Sequence, residues 1–257
     1  MPNPPQDIAA DAGQRQLWFS PSGGQQSRRR TLTREQVVAE ALAVIAADGA
    51  GALSMRALAA RLGVVPGALY RHVRSKEELC DLAVDGVLAE VQTQVDSDLN
   101  WADQVRVIAG RLRAAMEDHP GIAALLKTRD PLGPHSLALA EAFLAALQEA
   151  GLNAPETAQA FSLVYDYTLG FAISDRTTVN QQRVQDPATR RQLHEFFRTL
   201  PADQFPALAA LGRHVWADNR DQRFNAGLNT LLVGLQSTQA QLASPRLTTS
   251  AKPAGQR

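Results

Sequence analysis

Tyr70, Arg71 and His72 stand in a row on a segment short enough to be a single turn or two of helix. Three adjacent donors of this kind, set out on a helix surface, can grip phosphate and touch base edges. Their setting is the stretch from Leu53 to Val73. Leu53, Ala57, Leu58 and Leu62 fall on one face at helical spacing. Gly63 stops that helix where a left-handed residue is cheap. Val64 bridges the turn into the core, and Pro66 opens a second helix, as proline suits a first helical turn. The second helix buries Leu69 and Val73 and leaves Tyr70, Arg71 and His72 free. A short helix, a glycine turn and a second helix with such a run has the shape of a helix-turn-helix DNA reader. An ordinary helical hairpin with a solvated outer face is the plain alternative.

The flanking elements favour the reader. Upstream, Thr33 and Gln36 have capping-box spacing at a helix start, followed by the stripe Val37, Ala41, Val44 and Ile45 and a stop at Gly49. Downstream, Ser75 and Glu78 have the same spacing, opening a helix to about Glu90 with Leu79, Leu82, Ala83 and Val87 turned inward. Net charge over the 257 residues is zero, but its distribution is uneven. Between Arg28 and Lys76 nine Lys or Arg meet three Asp or Glu, so this segment carries +6 and the rest −6. A basic module on an acidic body is the footprint of a protein that meets DNA with one end.

Hydrophobic content of 45% supports a real core, and alanine and leucine without strand-like alternation give an all-α composition. One cysteine, Cys80, excludes a disulfide framework and a cysteine-based zinc site. The five histidines show no metal-ligand spacing, so neither metal nor cofactor is expected. A Gly-rich phosphate loop, a Gly-x-Ser-x-Gly elbow and a Cys with a motif-placed His are all missing, which argues against an enzyme. No apolar run is long enough to span a bilayer and no leader is evident, so a cytoplasmic protein is expected.

Along the chain, residues 1–30 form an N-terminal arm rich in Pro, Gln, Gly and Ser, expected to be flexible. It holds an apolar cluster, Leu17–Phe19, and the basic run Arg28, Arg29 and Arg30. That run is either a solvated charge cluster or an arm that follows a phosphate backbone or enters a minor groove. A reading domain over 31–76 comes next, then a helical body over 77–240 and a disordered tail over 241–257. Helices are predicted over about 101–118, 121–128, 135–150, 155–178, 187–199 and 219–238. In the last of these, Phe224, Leu228, Leu231 and Leu235 repeat at four, three and four residues, which is an a/d seam suited to a second copy or to packing within the chain. Gly227 and Gly234 lie on an adjacent line.

Residues 31–90 resemble the N-terminal domain of TetR-family transcriptional regulators. The resemblance rests on Leu53–Ala59, Leu62–Val64 and Leu69–Leu79, in order and without gaps. A weaker likeness to the tetracycline-repressor type of C-terminal domain rests on Asn100–Asp103, His119–Gly121, Tyr167–Phe171 and the glycine–leucine pairs after Phe224, taking the similarity to about residue 238. The resemblance implies a homodimeric regulator, most simply a repressor released from a palindromic operator by a small ligand. An activator or a global DNA-binding regulator is an alternative. So, in another class, is a helical carrier or enzyme with a vestigial DNA module. It places Arg56 and Lys76 along the double-stranded DNA, with Gly67, Ala68, Tyr70, Arg71 and His72 facing the groove; Thr33, Ser54 and the arm residues Arg28, Arg29 and Arg30 are further candidates for DNA contact. Arg71 suits guanine, and the bare Gly67–Ala68 start leaves base reading to Arg56 and Arg71.

The same resemblance implies that the last helix and the one near 157–175 pair with their mates as a four-helix bundle. It matches Gln92, Leu112, Leu125, Arg129, Phe143, Phe161 and Tyr165 to walls of a ligand pocket, although for Leu112, Leu125 and Phe161 plain core is the favoured reading. Leu125 stands where the tetracycline repressor has its metal-ligating histidine, so a small organic ligand without metal is expected. Arg129, Tyr165 and the neighbouring Asp166 are the polar candidates, because polar groups in an apolar bundle need partners.

Overall fold

The computed structural model describes residues 32–129, 132–177, 187–215 and 220–243, and every regular element among them is helical. The arm, with Leu17–Phe19 and Arg28–Arg30, and the chain from Ser244 lie outside the described residues; the first three residues of the expected tail, 241–243, are instead the last of a helix.

Helix α1 (Arg34–Asp48) starts from the predicted capping box. Thr33 Oγ1 accepts from the Gln36 amide at 3.3 Å and Gln36 Oε1 accepts from the Thr33 amide at 3.0 Å. Helix α2 (Met55–Arg61) is capped by Ser54, and α3 (Pro66–Leu69) begins on proline. Gly63 makes the turn between them with φ 66°, a conformation that favours glycine. Val37, Ala41, Leu58, Leu69 and Val73 form the core of this head. Helix α4 (Lys76–Leu88) is capped by Ser75. It packs on α1 and on the body, and so joins the two. The second capping box is only half as predicted: Glu78 bonds the amide of Arg74, not that of Ser75, and also pairs with Arg34 of α1.

The body holds α5 (Trp101–Asp118), α6 (Ile122–Thr128), α7 (Pro134–Gln148) and α8 (Ala154–Thr177), packed on one another. Helices α9 (Pro187–Arg198) and α10 (Pro206–Val215) pair with each other, and α11 (Arg220–Ala243) lies on α8. Head and body share one continuous apolar core. They also meet where α6 begins. Gly121, at φ 88°, approaches α1 so closely that a Cβ there would sit 2.8 Å from Ile45 Cγ2. No described helix is long and apolar enough to cross a membrane.

Candidate functional site

The reading face is built by local signals. Ser54 Oγ accepts from the Ala57 amide at 3.2 Å, which fixes the start of α2 and sets Arg56 on its exposed first turn. Leu69 and Val73 bury the inner side of the next segment, so its other residues turn outward. Tyr70 is 53% exposed, Arg71 and Gly67 are exposed, and Ala68 is half-buried. A Cβ added at Gly67 would meet nothing within 4 Å, so the start of α3 is a bare surface able to approach another molecule closely. His72 is half-buried and Lys76 half-buried at the start of α4. Thr33 is exposed and engaged in its cap. Arg56, Gly67, Tyr70 and Arg71 are thus all exposed, and His72 turns partly inward.

The body behaves differently. Leu112 and Phe143 are fully buried, Leu125 nearly so, and Phe161 and Tyr165 are half-buried. Phe143, Phe161 and Tyr165 form an aromatic ladder, with centroids 6.1 Å and 5.4 Å apart. Gln92 lies apart from it, exposed, on a cavity of about 410 Å³ between the end of α4 and the start of α7, lined also by Leu88, Val91, Gln94, His135 and Ala138.

Arg129 does not join the ladder. Its Nε donates to Asp81 Oδ1 at 2.7 Å and its Nη2 to the Glu77 carbonyl at 3.1 Å, both on α4. A guanidinium beside a buried carboxylate takes the carboxylate, and the hydrogen bond to Asp81 holds the Arg129 pKa above its ordinary value. Asp166 is exposed on the outer side of α8, turned away from the interior. No group of three or more His, Cys, Asp or Glu among the described residues could hold a metal ion.

The expected seam divides. Phe224 and Leu228 are buried inside the protomer, and Leu235 is half-buried against its core. Leu231 is half-buried, and its neighbour Leu232, outside the expected seam, is the residue the core takes in at that turn. The cause is α8: the Tyr167 ring stacks on Phe224 at 5.6 Å, and its hydroxyl donates to the Phe224 carbonyl at 3.0 Å. A Cβ at Gly227 would lie 2.1 Å from that hydroxyl, so Gly227 serves a close approach within the chain. The outward faces carry Leu163 of α8 and Val233 of α11, 44% and 47% exposed, beside exposed Thr230 and Gly234.

Sequence reasoning missed the groups that tie the body together. Arg113 is buried, with its guanidinium over the rings of Phe224 at 4.8 Å and Phe171 at 5.2 Å and its nitrogens on Glu117 and Asp221 at 2.8 Å. Asp81 and Asp85 are buried on α4. Their spacing of four residues on the apolar face of α4 was the available signal.

Comparison with known proteins follows this division. The family described as "Bacterial regulatory proteins, tetR family" matches residues 37–82, and "Tetracyclin repressor-like, C-terminal domain" matches residues 96–239. An HTH-type transcriptional regulator of Saccharopolyspora erythraea is 36% identical over 225 residues, covering 86% of this chain and 92% of the relative. The HTH-type transcriptional repressor DrrR1 of Streptomyces coeruleorubidus is 29% identical over 233 residues, covering 88% and 85%. Among solved structures, the Streptomyces coelicolor TetR-family protein ActR in complex with actinorhodin superposes with a TM-score of 0.68 at 32% identity, covering 81% of this chain and 98% of that one.

Proposed function

The chain belongs to the TetR family of bacterial transcriptional regulators, and from that premise we propose that it is a homodimeric repressor released from a palindromic operator by a small organic ligand. It is a DNA-binding transcriptional regulator. The observation that carries the reading is the face made by α3 and the turn that follows it, where Gly67, Tyr70 and Arg71 stand exposed while Leu69 and Val73 seal the other side. The segment is helical only to Leu69, so Tyr70, Arg71 and His72 lie in the turn and not on a longer helix. Arg71 reads a base edge, Tyr70 and Lys76 hold phosphate, and Arg56 supports them from α2. Two such faces, one per protomer, meet two half-sites one turn of DNA apart, about 34–36 Å.

The ligand enters among the interior side chains of α5 to α8, where Leu112, Leu125, Phe143, Phe161 and Tyr165 supply apolar and aromatic surface. A planar organic body with few polar groups suits such a lining. The neighbouring complex of ActR with actinorhodin, and the repressor name of DrrR1, support ligand release and repression. The partner protomer is met through Leu163, Val233, Thr230 and Gly234, with Leu231 and Leu235 at the edge of the contact.

Electrophoretic shift with DNA from upstream of the chain's own gene tests the reading. A retarded complex that weakens steeply with salt, and that actinorhodin or a related planar aromatic dissociates without added metal, supports it. A protein that never retards that DNA at low salt overturns it.

A further inference from the structure

The structure also shows how the interior is wired to the head. We propose that Asp81 and Asp85 are positioning residues through which the state of the body sets the position of α4 and hence of the reading face; this rests on the reading of a ligand-released regulator.

Helix α4 packs on α1 and on both α6 and α7. Its two buried carboxylates, four residues apart on one side of the helix, hold the two ends of the segment between α6 and α7. Asp81 takes Arg129, the residue that closes α6. Asp85, 3% exposed, takes the start of α7. Its Oδ1 accepts from the amides of His135 and Ser136 at 3.1 and 3.0 Å and from Ser136 Oγ at 3.2 Å, and its Oδ2 meets His135 Nδ1 at 2.7 Å.

Asp85 therefore caps a helix to which it does not belong. The first amides of a helix have no internal partner and are normally met by the side chain just before it. Before α7 stands Gly133, which has no side chain to offer. A Cβ at that position would lie 2.2 Å from Asp85 Oδ1. The local cap is given up so that the carboxylate of α4 can fit in its place, where the helix dipole also favours negative charge.

The opposite end of α6 rests on the head, through Gly121 against Ile45. Helix α6 is thus a strut of seven residues between α1 and Asp81, with Leu125 turned to the interior on the way. Helix α7 runs from Asp85 to Phe143 in the aromatic ladder. A molecule that parts α6 from α7 draws Arg129 and His135 away from each other. Both carboxylates stay on the rigid face of α4. Stripping a buried carboxylate of its donors is strongly unfavourable. The cheaper response is for α4 to move with its partners, which turns a small displacement inside the body into a change of the head.

The test needs neither ligand nor operator. In the full chain with Cys80→Ala, a spin label on Ala60→Cys, an exposed position on α2, reports the distance between the two heads of a dimer. Asp85→Asn and Arg129→Gln are compared with Leu139→Ala, which opens the buried core of α7 without touching either carboxylate. The proposal expects the two former variants to broaden or displace the distance distribution and Leu139→Ala to leave it narrow. The exchanged pair Asp81→Arg with Arg129→Asp should restore it. If the label separation is unchanged in Asp85→Asn and Arg129→Gln, or is disturbed equally by Leu139→Ala, the proposal fails.

A protein without any inter-label signal would refute the dimer and leave the linkage to be read in one protomer. There, amide exchange across residues 82–88 should be about tenfold faster in Asp85→Asn than in Leu139→Ala. Equal rates in the two would overturn the linkage.

Discussion

The head and the body of this molecule solve the placing of functional side chains in opposite ways. In the head, each residue of the reading face is set by something within a few positions of it: Ser54 caps the turn bearing Arg56, Gly63 makes the corner, and Pro66 starts the short helix that leads into Tyr70 and Arg71. In the body the decisive partners are distant. Arg129 and Asp81 are 48 residues apart, Asp85 and His135 are 50, Tyr167 and Phe224 are 57, and Arg113 and Asp221 are 108. The head presents a surface for another molecule to read. The body sets these polar groups on each other, between helices. Local placement makes a rigid reader, and distant placement makes a body whose helices can shift only together.

The comparison breaks most visibly at the outward faces of α8 and α11. Leu163 and Val233 are exposed in one protomer, so Leu163→Asp with Val233→Asp should leave helicity by circular dichroism unchanged while light scattering reports a monomer. Loss of the second head should cut operator affinity by about a hundredfold or more, the usual gain from joining two binding modules. A double variant that stays dimeric places the contact elsewhere.

Within the body, Phe224→Ala should act on folding and not on assembly, because that ring is buried against Tyr167, Phe171 and Arg113. A loss of about 3–5 kcal/mol is expected in urea unfolding, as for buried Phe truncations generally. Arg113→Met keeps the apolar stem but loses the ring contacts and both carboxylates, for about 2 kcal/mol. If either variant dissociated the dimer with stability intact, the helix would be turned the other way.

The two halves were also unequally legible in the sequence. Most of the capping signals, the glycine corner and the apolar stripes of 32–88 translate directly into α1 to α4, because each is satisfied within one or two helical turns. The exceptions are Glu78, which bonds the Arg74 amide and not that of Ser75, and Ala57, which is exposed. The seam of α11 shows the limit. Phe224, Leu228, Leu231 and Leu235 read as one apolar stripe, but the core takes Leu232 in place of Leu231, and periodicity carries no mark of whether the stripe meets its own chain or a second copy; Tyr167, 57 residues away, turns Phe224 inward. Arg129 was singled out as a polar group in need of a partner, and the partner was unreadable because Asp81 lies two helices earlier. Asp166 looked like its neighbour Tyr165 in sequence, yet one helical step carries it to the exposed side of α8.

In the head, the expected effects are smaller and of two kinds. Arg71→Ala should cost about 1–3 kcal/mol of operator binding and relax the preference at one base position in each half-site. Lys76→Ala should weaken all sequences alike and lower the salt slope by about 1. Competition shifts with single-base operator variants separate the two. An unchanged base preference in Arg71→Ala assigns the reading to another residue, and Arg56 is next in line.

The smallest effect belongs to the junction of the two halves, at Cys80 of α4. Its thiol is buried beside Leu79 and Ala83, and burial pushes its pKa above the ordinary value of 9.0, with Arg129 and Lys76 opposing the rise. For an acid whose pKa is raised by folding, the folded chain holds the proton more tightly than the unfolded chain. The stability this contributes is whole below the ordinary thiol pKa and is lost as pH rises through the folded value. Urea unfolding between pH 7 and pH 10 should therefore show a steeper alkaline decline for the parent chain than for Cys80→Ala, in which the thiol is gone. Tyr167, raised by burial in the same direction, is present in both proteins and drops out of the difference. Alkylation of the native chain near pH 8 should be slow for the same reason, since the thiolate is the reacting form. Rapid alkylation with the fold intact would mean that α4 opens readily toward solvent, and that the head and body are joined more loosely than the carboxylates at Asp81 and Asp85 imply.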